Sequence, residues 1–340
     1  MQAWQRRIAG AVAAAVGVAF VVSIVVNGLF SVGPAFERMA DGFRPAMRSE
    51  PITALGRDLD GLEAVTEEFS GVAVPMLSDA LGVSPEEFAG LTSEQFPDVA
   101  AGIDRLPTII ESFRGVVGTL ESEQERFASA DAIPTTSLPA TTVPWGLAIA
   151  GVALLAIGIA ILTRPGRPAA IAAVVVGAVL IAVPLALSLP GKAADADTMN
   201  ENLKPVYTAE LIAGADQGLA VVGAMGTQMQ EEMLPALAQQ LGMDEAALQA
   251  FLAENLPAMS GAMAAMPDAM GRFTNVVEIF RAHLDDYDTI NTVSFVPIVW
   301  TMIVGGILAA LAGTWAAFAS GRKTSDAVVV LPEERAHARV

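Results

Sequence analysis

The chain of 340 residues has no cysteine, only two histidines (His283 and His337) and only three lysines (Lys192, Lys204 and Lys323). Without cysteine there is no disulfide, no thiolate metal site, no iron–sulfur cluster and no thiol nucleophile. Two histidines leave little for a zinc site or a histidine-based triad. Charged residues make up 16% of the chain, where an ordinary soluble domain carries about a quarter. The net charge of −18 argues against a polyanion-binding surface, so no nucleic-acid partner is expected. No G-x-S-x-G, H-E-x-x-H or Walker A pattern occurs, and no G-x-G-x-x-G lies in a βαβ context. No enzyme activity and no cofactor are therefore expected.

What the chain has in abundance is apolar sequence. Hydrophobic residues make up 53% and the mean hydropathy is +0.52. Four runs are long enough to cross about 30 Å of hydrocarbon as helices: 8–30, 145–163, 169–189 and 296–319. None contains an acidic or basic side chain. The first follows Arg6 and Arg7 as a signal peptide would, but it is longer than an h-region and Asn27-Gly28-Leu29-Phe30 offers no cleavage site. It is expected to be retained. Arginines flank the runs at 6 and 7, at 164 and 167 and, with Lys323, at 322. Positive charge stays cytoplasmic in short loops. This predicts a multi-pass protein of the cytoplasmic membrane with both termini inside. The N-terminus 1–7, a turn 164–168 and a tail 320–340 would be cytoplasmic, and segments 31–144 and 190–295 extracytoplasmic. The Ala/Val/Gly-rich, Lys-poor composition suggests a GC-rich bacterial source.

The two long segments are acidic, with 19 acids against 7 bases in the first and 15 against 4 in the second. They also resemble each other. A shift of 160 pairs Met39 with Met199, Pro45 with Pro205, Pro75 with Pro235 and Leu81-Gly82 with Leu241-Gly242. It continues through Glu94/Glu254, Pro97/Pro257, Pro107/Pro267 and Phe113/Phe273, and falls to 155 at Trp145/Trp300. A gapless register of this kind reads as a tandem duplication. The fold expected is an all-α polytopic membrane protein: four transmembrane helices and two duplicated helical extracytoplasmic domains, arranged as a parallel tandem repeat with pseudo-two-fold symmetry about the membrane normal. Helices are expected near 35–70, 71–81, 85–95, 98–105 and 107–130 in the first domain, and at the correspondingly shifted positions in the second. Ser84 and Asp244 are expected as N-caps, with Gly82 and Gly242 ending the preceding helices.

Duplication also weighs the candidate sites, since a site needed in both halves should persist in both. Met225, Met229 and Met233 form one helical stripe, and Met259, Met263, Met266 and Met270 another. Thioethers suit Cu(I), but the matching positions in the first half are Val65, Phe69, Ala73, Val99, Ile103, Leu106 and Ile110. Core packing outweighs an adaptable apolar groove here, and both outweigh metal. The acid clusters Glu67-Glu68, Glu86-Glu87, Glu121/Glu123/Glu125 and Asp285-Asp286/Asp288 have no calcium-loop pattern and read as solvated helix faces. Two polar features persist. Asp41…Arg44-Pro45 and Glu201…Lys204-Pro205 suggest an i, i+3 ion pair, and Glu94/Glu254, ahead of Phe96-Pro97 and Leu256-Pro257, could satisfy backbone at that corner. His283 reads as an exposed, solitary histidine.

The spans contain no ionisable residue, which disfavours ion-coupled transport. Small residues share stripes at Ala9/Ala13/Gly17, Ala173/Gly177 and Gly305/Ala309/Gly313, allowing close helix packing. The leading expectation is an accessory or scaffold protein that presents its acidic helical domains to an envelope or membrane protein partner. Lipid or hydrophobe handling at the outer face follows, then a transporter or channel component. Membrane lipids are expected partners in every case, and homo-oligomerisation is compatible with all three.

Overall fold

The computed structural model describes residues 2–135, 138–164 and 167–321. The tail with Arg322, Lys323 and His337 and the middle of the 164–168 turn lie outside the described residues. In chain order the helices are α1 (Gln2–Val26), α2 (Leu29–Phe43), α3 (Ser49–Glu68), α4 (Val74–Leu81), α5 (Pro85–Gln95), α6 (Pro97–Asp131), α7 (Thr142–Thr163) and α8 (Arg167–Ala186). They continue as α9 (Leu189–Leu203), α10 (Ala209–Gln228), α11 (Leu234–Leu241), α12 (Glu245–Asn255), α13 (Pro257–Ala282), α14 (Leu284–Asn291) and α15 (Phe295–Gly321). The described residues contain no strand. Four helices, within Trp4–Val26, Thr142–Thr163, Arg167–Ala186 and Phe295–Ala319, are long and apolar enough to cross a membrane. This is a membrane protein.

The chain divides into two compact units. One contains α1, α7, α8 and α15. Its helices meet through small residues that bring backbones together without an intervening side chain, the usual device where no hydrophobic effect drives association. A Cβ added at Gly17 would lie 2.5 Å from the carbonyl oxygen of Gly151, and one at Gly177 would lie 2.6 Å from the amide nitrogen of Ala310. Ala9, Ala13, Ala173 and Ala309 are completely buried at these seams. All four tryptophans of the chain (Trp4, Trp145, Trp300 and Trp315) belong to this unit and are exposed from its bundle. Amphipathic rings near the ends of spans suit a membrane interface.

Two of the spans end earlier than hydropathy alone indicates. Gly28 and Ser188 adopt left-handed φ values of 56° and 54°, so α1 stops at Val26 and α8 at Ala186 rather than near residues 30 and 189. Glycine takes this conformation without cost, whereas serine is strained there by its Cβ.

The other compact unit is formed by residues 34–136 and 194–293 together. The two long segments share one core rather than folding as two separate bodies. Several local expectations hold at the residue level. Ser84 caps α5 in a complete capping box with Glu87, and Asp244 caps α12 through the amide of Ala247 at 2.7 Å. Gly82 and Gly242 close α4 and α11 with φ of 69° and 66°. Other boundaries differ. The helix expected over 35–70 is two helices, because Pro45 disfavours helical geometry at Arg44 and α2 ends at Phe43. Conversely, Pro107 and Pro267 lie inside α6 and α13. The packing of these long helices outweighs the loss of one hydrogen bond each.

Candidate functional site

The shared core begins at two widened turns. A π-helical turn occupies Phe69–Ala73 between α3 and α4, and another occupies Met229–Met233 between α10 and α11. Each comes just before a proline. Pro75 and Pro235 lack an N–H and crowd the preceding turn, and a wider turn relieves that crowding. The turns aim Phe69, Ala73, Met229 and Met233 into one cluster with Leu77, Phe88, Val99, Leu248, Leu252, Leu256 and Met259.

The residues just before the two turns cap helices across the core. Glu68 accepts from the amides of Ala258 and Met259 at the start of α13, at 3.1 and 2.7 Å. Gln228 accepts from the amides of Asp98 and Val99 at the start of α6, at 2.8 and 3.1 Å. First-turn amides such as these have no partner within their own helices. Glu94 and Glu254, which the sequence suggested for this corner, are both exposed and make none of these bonds. Glu68 is therefore no idle member of a solvated acid cluster.

The methionine stripes divide. Met225, Met229, Met233 and Met259 are buried, and Met263 packs against the same core cluster. The Met225 side chain fills the space left by Gly102, where a Cβ would come 2.5 Å from its sulfur. Met266 and Met270 instead reach an open cavity, a groove of about 310 Å³ between α3 and α13 whose lining includes Leu59, Leu62, Phe113, Ala262 and Phe273. Phe113 and Phe273, which the sequence register pairs, meet edge to face with ring centroids 4.9 Å apart. A second groove, of about 660 Å³ between α6 and α10, carries Asp104, Arg105, Glu210 and Gln217 in its lining.

Two buried polar sites also occupy positions that the sequence register pairs. In one, Glu123 is 1% exposed, and its Oε1 accepts from Arg126 at 2.8 Å and from Asn202 at 2.7 Å. In the other, His283 Nδ1 lies 3.1 Å from Asp286 Oδ2, while Arg38 donates to both Asp286 oxygens from Nε at 3.2 and 3.3 Å. His283 is therefore neither exposed nor solitary: the Nε2 edge of its ring lies against Gly42, where a Cβ would overlap it. Asp286, 9% exposed, is likewise not part of a solvated face. Desolvation pushes its carboxyl up, but the hydrogen bonds from Arg38 and His283 more than offset this and hold it below its ordinary value.

Beside this second site the only two tyrosines of the chain stack, Tyr207 on Tyr287 with centroids 4.3 Å apart, and Tyr207 also stacks on Phe280 at 4.7 Å. Tyr207 donates to the carbonyl of Phe280 at 3.1 Å and Tyr287 to that of Asn200 at 2.9 Å. Burial pushes both phenols up, that of Tyr287 to about 12. Nothing in the sequence periodicity pointed to this cluster.

The ion pair expected at both Asp41…Arg44 and Glu201…Lys204 forms only at the first. Arg44 bridges Asp41 at 2.7 Å and Asp131 at 2.8 Å, and the two carboxylates push its guanidinium up. Glu201 and Lys204 make a backbone turn contact instead. The counterpart of Asp131 is Asn291, an uncharged residue that accepts from Asn200 at 3.0 Å, so Lys204 has no second carboxylate to hold it.

Among the described residues no three His, Asp or Glu side chains gather for a metal ion. Ser129 donates to Asp195 at 2.6 Å, a bond that links α6 to α9. The chain matches no protein-family model, and no curated protein is significantly similar to it.

Proposed function

We propose that this protein is a non-enzymatic scaffold that presents one acidic helical body, outside a bacterial cytoplasmic membrane, to a basic surface of an envelope or membrane protein. The observation that carries the reading is the reciprocal capping of α6 and α13 by Gln228 and Glu68. It ties both interspan segments into a single body whose acidic surface is preformed, and preformed surfaces bind without an ordering cost. The excess of 19 over 7 and 15 over 4 acidic residues supports electrostatic selection of a basic partner. Spans with no ionisable residue beyond the arginines at their ends, joined backbone to backbone, suit an anchor better than an ion path.

On this reading the chain is a tandem duplication. Turns of the same kind at Phe69–Ala73 and Met229–Met233, and left-handed residues at Gly28 and Ser188, support it, as does the contact of Phe113 with Phe273. Both termini are cytoplasmic, and the source is a bacterium of GC-rich composition.

Two experiments test the proposal. Since the protein is cysteine-free, single cysteines report topology directly. An impermeant maleimide should label Ser93→Cys on intact cells and Thr163→Cys only after permeabilisation; the reverse pattern removes the outward placement. For the partner, a photo-crosslinking residue in place of Glu86 or Glu231 should give one discrete adduct that disappears when neighbouring acids are changed to lysine. Absence of an adduct from every acidic position in native membranes would overturn the scaffold reading.

A further inference from the structure

The groove between α3 and α13 has only two charged side chains in an otherwise apolar lining, and one of them is a cation that enters no ion pair among the described residues. Its side-chain lining is apolar except for Arg57 and Asp58. Asp58 is already held by Arg272 through two bonds of 2.7 and 2.8 Å. The next carboxylates along α3, Asp60 and Glu63, both face Arg114, at 3.3 and 2.7 Å. Asp268, one turn before Arg272 on α13, does not line the groove. Arg57 is exposed and enters no ion pair among the described residues. Its charge therefore stands at the edge of an apolar trough with no carboxylate assigned to it.

The trough itself is shaped by small residues. Gly61 on α3 and Gly261 on α13 line it, and a Cβ at either would meet nothing within 4 Å. Phe113 and Phe273 supply aromatic surface, while Met266 and Met270 supply adaptable walls. A volume of about 310 Å³ falls at the lower end of small-ligand sites, roughly 300–1,000 Å³. The second groove is larger but has carboxylates of its own at Asp104 and Glu210, so it lacks the match of one cation to one apolar surface.

We infer that this groove binds a single-chain anionic amphiphile, its chain lying between α3 and α13 and its carboxylate or phosphate head paired with Arg57. The guanidinium gives two parallel donors to such a head, and the chain gains the free energy of leaving water. The site is independent of the scaffold reading, since neither the acidic surface nor any protein partner enters the argument.

The test uses full-length protein in nanodiscs of phosphatidylcholine, titrated with a dansyl-labelled undecanoate against empty nanodiscs. Saturable binding above the empty discs is expected, displaced more effectively by dodecanoate than by 1-dodecanol. Gly261→Leu fills the trough in open space and gains helix propensity, so it should keep or raise the melting temperature while weakening probe binding about tenfold or more. Ala265→Leu serves the same purpose from a neighbouring wall position. Arg57→Gln should weaken probe binding about tenfold and erase the preference for dodecanoate over dodecanol, and Arg57→Lys should restore part of it. A probe signal equal to that of empty discs, or binding unchanged in both Gly261→Leu and Arg57→Gln, overturns the proposal.

Discussion

The sites around Glu123 and His283 occupy equivalent positions in the sequence register and place their carboxylates one helical turn apart in that register, at Glu123 and at Asp286. In the first, the buried acid Glu123 is followed one helical turn later by Arg126; in the second, the half-buried His283 is followed by the buried acid Asp286. Opposite them, Asn202 on α9 donates to Glu123, whereas Gly42 on α2 provides only space for the imidazole ring. Each residue makes sense only with its partners. The difference teaches that a helical framework fixes where a polar group must be satisfied and leaves the chemistry open. What must hold is that each buried group finds at least one donor or acceptor of the right sign; Glu123 meets this through Oε1 alone, its Oε2 having no hydrogen-bond partner among the described residues.

The comparison can be broken most severely at its tightest point. Gly42→Asn places the first site's asparagine against the second site's ring and should cost about 3 kcal/mol of stability, the upper range for overpacking a core. Adding Arg38→Thr, His283→Glu and Asp286→Arg, which copies the first site into the second, should recover at least half of this loss in thermal unfolding. No recovery would mean that the two surroundings are not interchangeable. Asn202→Gly in the first site should cost less, about 1–2 kcal/mol, because it removes one donor from a carboxylate that keeps Arg126.

The crossed caps allow a second comparison. Glu68 brings a charge to the positive end of α13, whereas Gln228 brings only a dipole to α6. Glu68→Ala is expected to cost about 2 kcal/mol and Gln228→Ala about 1 kcal/mol. Equal losses in denaturant unfolding would show that the charge contributes nothing. Glu94→Ala and Glu254→Ala, at exposed positions, should fall within about 0.5 kcal/mol of the parent.

A pH comparison separates Asp286 from the tyrosines. The Asp286 carboxyl lies below its ordinary value of 3.8 in the folded protein, so its contribution is complete above pH 3.8 and disappears as pH falls through the lowered value. Asp286→Asn should flatten the acid limb of the melting curve in that window and leave the neutral region less stable. The phenols move the other way. The Tyr287 phenol rises from 10.0 to about 12, so its contribution is complete below pH 10 and is lost as pH climbs toward 12. Tyr287→Phe should reduce this alkaline sensitivity. A profile unchanged at both ends would contradict the burial described above.

A small effect is expected at the left-handed positions. Ser188→Gly should raise stability by a few tenths to about 1 kcal/mol, and Gly28→Ser should lower it by about 1 kcal/mol, because the same φ is free for one residue and strained for the other. Differential melting of the two variants against the parent decides this.

What the sequence determined by itself were the features that one helix or one turn settles alone. The four spans follow from uninterrupted hydropathy, because a helix in hydrocarbon satisfies its own backbone. The caps at Ser84 and Asp244 and the ends at Gly82 and Gly242 depend on a handful of adjacent residues. The glycine and alanine stripes of the spans were legible too, since helical spacing alone places them on one face. Only the tertiary structure decided which residues meet across the core. Glu68 and Gln228 accept from amides 190 and 130 positions away in the chain, whereas the nearby Glu94 and Glu254 do not. Of seven methionines in two regular stripes, five went into or against the packed core and two line the groove. His283, which looked like a lone exposed side chain, is covered because Gly42 in α2 leaves room for it. The physical reason is common to all three cases. Periodicity states which side of a helix turns inward, but the partner on that side belongs to another helix, and only packing brings it there.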